Sequence, residues 1–192
     1  AHLAQDNMAR SQKAFEGFVW LYKMADRYRA DAFNRLGDTQ YSQRKYNEAV
    51  KSYEGAVSLG TAEQDYAKYQ RAISLGLAGK TSAKIGALKQ MQGENCGDFN
   101  DDAAYEVCRT YVSLGRYSDG ATVLEKFVDD YPQSPFHTPA LLDLGLVHFN
   151  LGNSDKSLEY YDKIISSAPQ SSAAKDAIQS VREIYVAKGD IN

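Results

Sequence analysis

The sequence lacks most of the signatures from which chemistry is read. Its two cysteines, Cys96 and Cys108, form no CxxC pair, and its three histidines, His2, His137 and His148, lie far apart in the chain. Metal ligands must converge, so no metal site is expected. The chain has no glycine-rich phosphate loop and no Ser/His/Asp or Cys/His constellation, and no spacing singles out a pair of carboxylates. Neither catalysis nor a cofactor is expected; the sequence reads as that of a protein that is not an enzyme. Basic excess is missing too: the net charge is −3, and a nucleic-acid partner would call for a concentrated positive surface. No apolar run approaches the roughly 20 residues of a membrane-spanning helix. Proline is sparse, with four in 192 residues, and tryptophan occurs once. What remains is a chain that is 43% hydrophobic and 24% charged, the balance of a folded protein. It begins AHLAQDN without an initiator methionine, as a mature secreted protein or an excised piece of a longer chain would.

What is present is a pattern that recurs. ADAFNRLGDTQYSQRKYNEAVKSYEGAV starts at Ala30, with later copies at Asp65, Asp101, Thr138 and Lys175, a period of 35 to 37 residues. A small residue recurs early in each unit, as Gly37, Ala72, Cys108 and Gly145. A bulky one follows as Tyr53, Leu88, Leu124 and Tyr161, then a second apolar position as Ala56, Met91, Phe127 and Ile164. Glycines fall between, at Gly79, Gly115, Gly152 and Gly189, and Pro132 and Pro169 close two units. Spacings of 3, 4 and 7 are helical. The glycines suit a tight turn between paired helices, and each proline ends the second helix of its pair. A unit this short cannot bury its own apolar face, so the units must stack. Ala14, Phe18 and Leu21 match the second half of a further unit upstream.

The pattern resembles the tetratricopeptide repeat, W-x2-L-G-x2-Y…A-x3-F…P. The resemblance runs through Phe33, Leu36, Gly37, Tyr41, Ala49, Tyr53 and Ala56, through Val107, Cys108, Tyr111, Gly120, Leu124 and Pro132, and through Leu141, Leu144, Gly145, Ser157, Tyr161, Ile164 and Pro169. Thr61 stands where one proline belongs, and Lys84 occupies a slot that is small elsewhere. The fold implied is all-α, a right-handed solenoid of about 11 antiparallel helices. It forms one array over 1–192, with a partial repeat at 1–29, repeats at 30–64, 65–100, 101–137 and 138–174, and a partial repeat at 175–192. The stretch GENCGDFND reads as an irregular connection. The linker Tyr131-Pro132-Gln133-Ser134 is similar to those of bacterial cell-envelope repeat proteins, the Tol–Pal coordinator and outer-membrane assembly lipoprotein types. That similarity implies a periplasmic or envelope location, the alternative being cytoplasmic.

Most conspicuous residues belong to packing. Tyr41, Tyr53, Tyr111, Tyr161 and Tyr185 occupy stacking slots, Cys108 is a close-approach residue, and Cys96 reads as an exposed loop thiol. In the resembled family the first helix of each unit lines a concave face. The face-lining positions are Asn34, Asp38, Tyr66, Tyr69, Ile73, Tyr105, Arg109, Leu142, Leu146 and Phe149. Aromatic, apolar and arginine side chains at positions not used for stacking mark a surface for a protein or peptide. The basic clamp by which some such repeats hold a C-terminal carboxylate is not expected, because Asp31, Asn34, Asp38, Asp102 and Asp143 stand where lysine, asparagine and arginine would be wanted. The expected function is a protein-binding scaffold, a fragment of a longer repeat protein. The alternatives are a structural spacer that self-associates, as a homodimer, and a glycan-binding surface.

Overall fold

In the computed structural model, residues 2–62, 64–94 and 96–189 are described. Among them are ten α-helices and one 3-10 turn, against the eleven or so helices expected, and no strand. The chain packs as two compact units, Ala1–Ala103 and Ala104–Asn192. The first holds α1 (His2–Leu21), α2 (Arg27–Ser42), α3 (Tyr46–Val57), α4 (Gln64–Leu77), α5 (Thr81–Glu94), the 3-10 turn Gly97–Phe99 and the start of α6 (Asn100–Ser113). The second holds the rest of α6, α7 (Tyr117–Asp130), α8 (His137–Asn150), α9 (Ser154–Ser167) and α10 (Ser172–Lys188). Consecutive helices pack on one another from α1 to α5 in the first unit and from α7 to α10 in the second, and α2 also meets α4 as α8 meets α10. That next-but-one contact is what stacked helix pairs produce.

The helix boundaries follow from local chemistry. Asp26 caps α2, its carboxylate accepting from the Tyr28 and Arg29 amides. Pro132 and Pro169 lie two residues beyond the last residues of α7 and α9, Asp130 and Ser167, where no further helical hydrogen bond is needed. Gly79, Gly115 and Gly152 have φ of 78°, 67° and 78°, and the residue after each donates to a carbonyl five residues back. This is the Schellman closure of a helix. The opening repeat makes the same turn with Arg44 at φ 61°, Lys45 N–H bonding the Gln40 carbonyl. Arg44 is thus the one non-glycine residue with positive φ among those described. An L side chain is strained there. Arg44→Gly is expected to stabilise the protein by about 1 kcal/mol, read as a higher urea midpoint at unchanged slope. A lower midpoint would mean that the arginine side chain holds the turn.

The repeat slots pair by size. A Cβ on Gly37 would lie 2.6 Å from Cε1 of Tyr53, which is itself buried, and a Cβ on Gly145 would collide with the Tyr161 ring. Where the small slot holds Ala72 or Cys108, the bulky slot holds leucine, Leu88 or Leu124. The larger partner therefore sits opposite the smaller neighbour, as close packing requires. Lys84 is explained in the same way. A Cβ on Gly76 would lie 2.6 Å from Lys84 Cδ, whereas one repeat later Gly120 faces Val112. The pair is reversed, so the lysine stem fills the space. The core of the second unit includes Cys108, Leu124, Phe127, Leu144, Val147, Tyr161, Ile164 and Ile184. That of the first includes Ala49, Tyr53, Ala56 and Ala67, with Phe33, Tyr41 and Tyr66 packed against them.

Both cysteines are free and buried. Burial pushes the Cys108 thiol up to about 12, in keeping with a packing role. Cys96 is not the exposed loop thiol expected from its position. It is only 2% accessible, its N–H bonds Asn100 Oδ1 at 2.8 Å, and Lys68 Nζ reaches its Sγ at 3.9 Å.

Candidate partner-binding faces

On the first unit, α2 carries Asn34 and Asp38 one turn apart, hence on one face. Asp38 is half-buried, and its Oδ1 accepts from the hydroxyls of Tyr53 and Tyr66, each at 2.7 Å. Burial raises the Tyr66 pKa, and the neighbouring Asp38 carboxylate adds to the shift. The Tyr66 and Tyr69 rings both meet Phe99, at 6.3 and 5.6 Å between centroids. Phe99 belongs to the 3-10 turn, which in the sequence reads only as an irregular connection, so its place in this cluster was missed. Ile73, further along α4, is half-buried. Asn34 is 8% accessible and its Oδ1 has no hydrogen-bond partner.

On the second unit, α8 presents Leu142, Leu146 and Phe149. Leu142 is half-buried against the core, whereas Leu146 and Phe149 are 43% and 39% accessible. Arg109 is exposed and pairs with Glu106 at 3.7 Å. Tyr105 is placed otherwise than the sequence suggested. Its ring stacks on Phe136 at 5.0 Å and meets Phe127 at 5.5 Å, so it is a packing residue. Phe136 comes from the connection after Pro132 and covers the ring, as Phe99, 37 residues earlier, meets Tyr69. The Tyr105 hydroxyl donates to half-buried Asp143 Oδ2 at 2.9 Å. Burial raises the Asp143 pKa, with the Tyr105 hydrogen bond and Arg109 acting the other way. Of the ten expected positions, Arg109, Leu146 and Phe149 are exposed, Asp38, Tyr66, Tyr69, Ile73 and Leu142 are half-buried, and Asn34 and Tyr105 are buried.

A polar cluster that the repeat pattern does not signal lies on another side of the second unit. Glu125 accepts from Lys156, from His148 Nε2 at 3.3 Å and from the Tyr160 hydroxyl at 3.4 Å. The Lys156 ammonium, foremost, holds the Glu125 carboxyl below its ordinary value. His148 is buried and stacks on Tyr160. Beside it runs an open cleft of 660 Å³ lined by Glu125, His137, Lys156, Tyr160 and Lys163 among others. The cluster joins residues of three helices, so no local spacing could announce it. Among the described residues no three His, Cys, Asp or Glu side chains converge as metal ligands would.

Tetratricopeptide-repeat family profiles match residues 30–59 and 109–172. No curated protein is significantly similar in sequence. Among solved structures, a tetratricopeptide repeat protein from Parabacteroides merdae superposes with a TM-score of 0.71 at 20% identity, over 97% of this chain and 69% of that one. YrrB, a tetratricopeptide-repeat protein with an unusual peptide-binding site, gives 0.65 at 18% identity over 92% and 86%. MamA gives 0.61 at 22% identity over 84% and 86%. The chain therefore carries tetratricopeptide repeats, one stretch in each unit, on a solenoid fold that commonly mediates protein–protein interaction.

Proposed function

We propose that this protein is a non-catalytic scaffold that binds a peptide or protein on the exposed faces of its repeat first helices. One observation carries the reading. Helix α8 is apolar on nearly all sides. Its inner face, including Leu144 and Val147, is wholly buried, yet Leu146 and Phe149 are left to solvent on another. A helix apolar all round is ordinarily covered, and exposed apolar residues in a group mark an interaction surface. The peptide-binding site named for YrrB supports this reading, as does the aromatic face of the first unit. The Tyr131-Pro132-Gln133-Ser134 connection supports a place in the bacterial envelope. Its geometry is defined, with Ser134 N–H bonding the Tyr131 carbonyl and Ser134 Oγ accepting from the Phe136 amide.

The test is cross-linking of the purified protein in bacterial envelope extract, beside the double variant Leu146→Asp, Phe149→Ser. The wild type is expected to retain a partner that the variant loses at unchanged melting temperature. Equal retention by both would overturn the assignment of this face. A second reading, self-association, is favoured by Phe18, Trp20, Leu21 and Met24, which lie exposed at the end of α1 and just beyond it. The molar mass of the purified protein in solution separates the two.

A further inference from the structure

Resting on that reading, we propose that the first unit selects its partner by an arginine side chain, taken between the Asp38 carboxylate and the rings of Tyr66, Tyr69 and Phe99. The cations of this unit that pair with carboxylates are already engaged. Arg35 pairs with Asp31, Lys68 with Asp65 and Glu94, and Arg71 with Glu54. Asp38 is different. It is half-buried, holds two tyrosine hydroxyls on Oδ1, and forms no ion pair with a described side chain, since Arg35, which feels its charge, bonds Asp31 instead. Two neutral donors orient this carboxylate without neutralising it, and Oδ2 accepts no hydrogen bond from a described side chain. One turn earlier on the same face, Asn34 is more than nine-tenths buried with an unpartnered Oδ1. An acceptor so placed is costly unless something donates to it.

The remaining wall is aromatic, with the tyrosine rings set on Phe99. Three residues beyond Phe99, Asp102 also lacks a cationic partner among the described residues, and burial together with Asp101 pushes its carboxyl up. Acceptors on one side and π faces on the other describe the surroundings of a guanidinium. Its planar fork donates to carboxylate and amide oxygens, and its face lies on aromatic rings. An ammonium fits less well, because it is a compact, strongly hydrated point charge that cannot stack. An acidic or carboxylate-terminated segment would meet unpaired negative charge.

The experiment uses an immobilised array of random dodecapeptides, acetylated and amidated so that only side chains carry charge. It is probed with the purified wild type, Asp38→Asn and Leu146→Asp. Retained peptides are expected to be enriched in arginine. For the strongest of them, replacing that arginine by citrulline, or Asp38 by asparagine, should weaken binding by about tenfold or more in solution. Lysine should restore only part of the loss. The amide introduced by Asp38→Asn still offers an oxygen to both tyrosines, so the variant should melt as the wild type does. Retained peptides without arginine enrichment, or equal affinity for the wild type and Asp38→Asn, would overturn the arginine inference while leaving the scaffold reading intact. If no peptide were retained by the wild type, the scaffold reading itself would fall, and the inference with it.

Discussion

Truncating Leu124 to alanine is expected to destabilise the protein by about 2–5 kcal/mol. The side chain is wholly inaccessible and sits in the second unit's core with Cys108, Phe127 and Leu144. Removing its methyl groups loses their transfer free energy. It also leaves a cavity that helices held at both ends by turns close only in part. Domains of this size are stable by only about 5–15 kcal/mol, so the variant should melt many degrees earlier. The α8 residues Leu146 and Phe149 lie outside the buried core cluster that contains Leu124, so the fraction still folded should bind a partner as the wild type does. Urea unfolding measured beside a binding titration separates the two quantities. A loss under about 1 kcal/mol would show that Leu124 does not occupy the bulky stacking slot.

That slot was legible in the sequence, and the reason is physical. Each repeat solves one packing problem, so the same size of side chain returns at the same offset, and Gly37, Ala72, Cys108 and Gly145 can be aligned without coordinates. The glycine turns were legible for the same reason, since positive φ is unfavourable for other residues. Arg44 shows the limit. It makes the same turn with a side chain, and nothing in its identity announces φ 61°. The binding faces were legible only in outline. Periodicity says which residues of a helix point away from its stacking partners, but not what the connections between pairs lay over them. Phe136 and Phe99 both come from such connections. One buries the Tyr105 ring and the other builds the aromatic wall beside Tyr66 and Tyr69. The cluster around Glu125 escaped for a related reason. Its members come from α7, α8 and α9 and meet only through the stacking of helices.

Replacing Gly145 by leucine is expected to cost about 1–3 kcal/mol, through overpacking rather than a cavity. Here α8 and α9 approach closely enough for Ser157 Oγ to donate to the Gly145 carbonyl at 2.6 Å. A Cβ alone would fall 2.9 Å from Tyr161 Cδ1 and nearer still to Cε1 and Cζ. The ring has no room to retreat, because Tyr161 is only 3% accessible. Either the helices separate and strain the serine bond, or the ring leaves its rotamer. The size rule read from the other repeats then specifies a rescue. Ala72 stands opposite Leu88 in the 65–100 repeat, so Gly145→Ala combined with Tyr161→Leu recreates that pair. Each single change should destabilise, the first by crowding and the second by leaving space. The double variant should lose less than the sum, with a coupling of roughly 0.5–3 kcal/mol between contacting residues. Urea midpoints of the wild type and the three variants give that coupling directly. Additive losses would mean that Gly145 and Tyr161 do not share one packing site, and the complementarity of small and bulky slots would fail as the rule that sets helix approach in this protein.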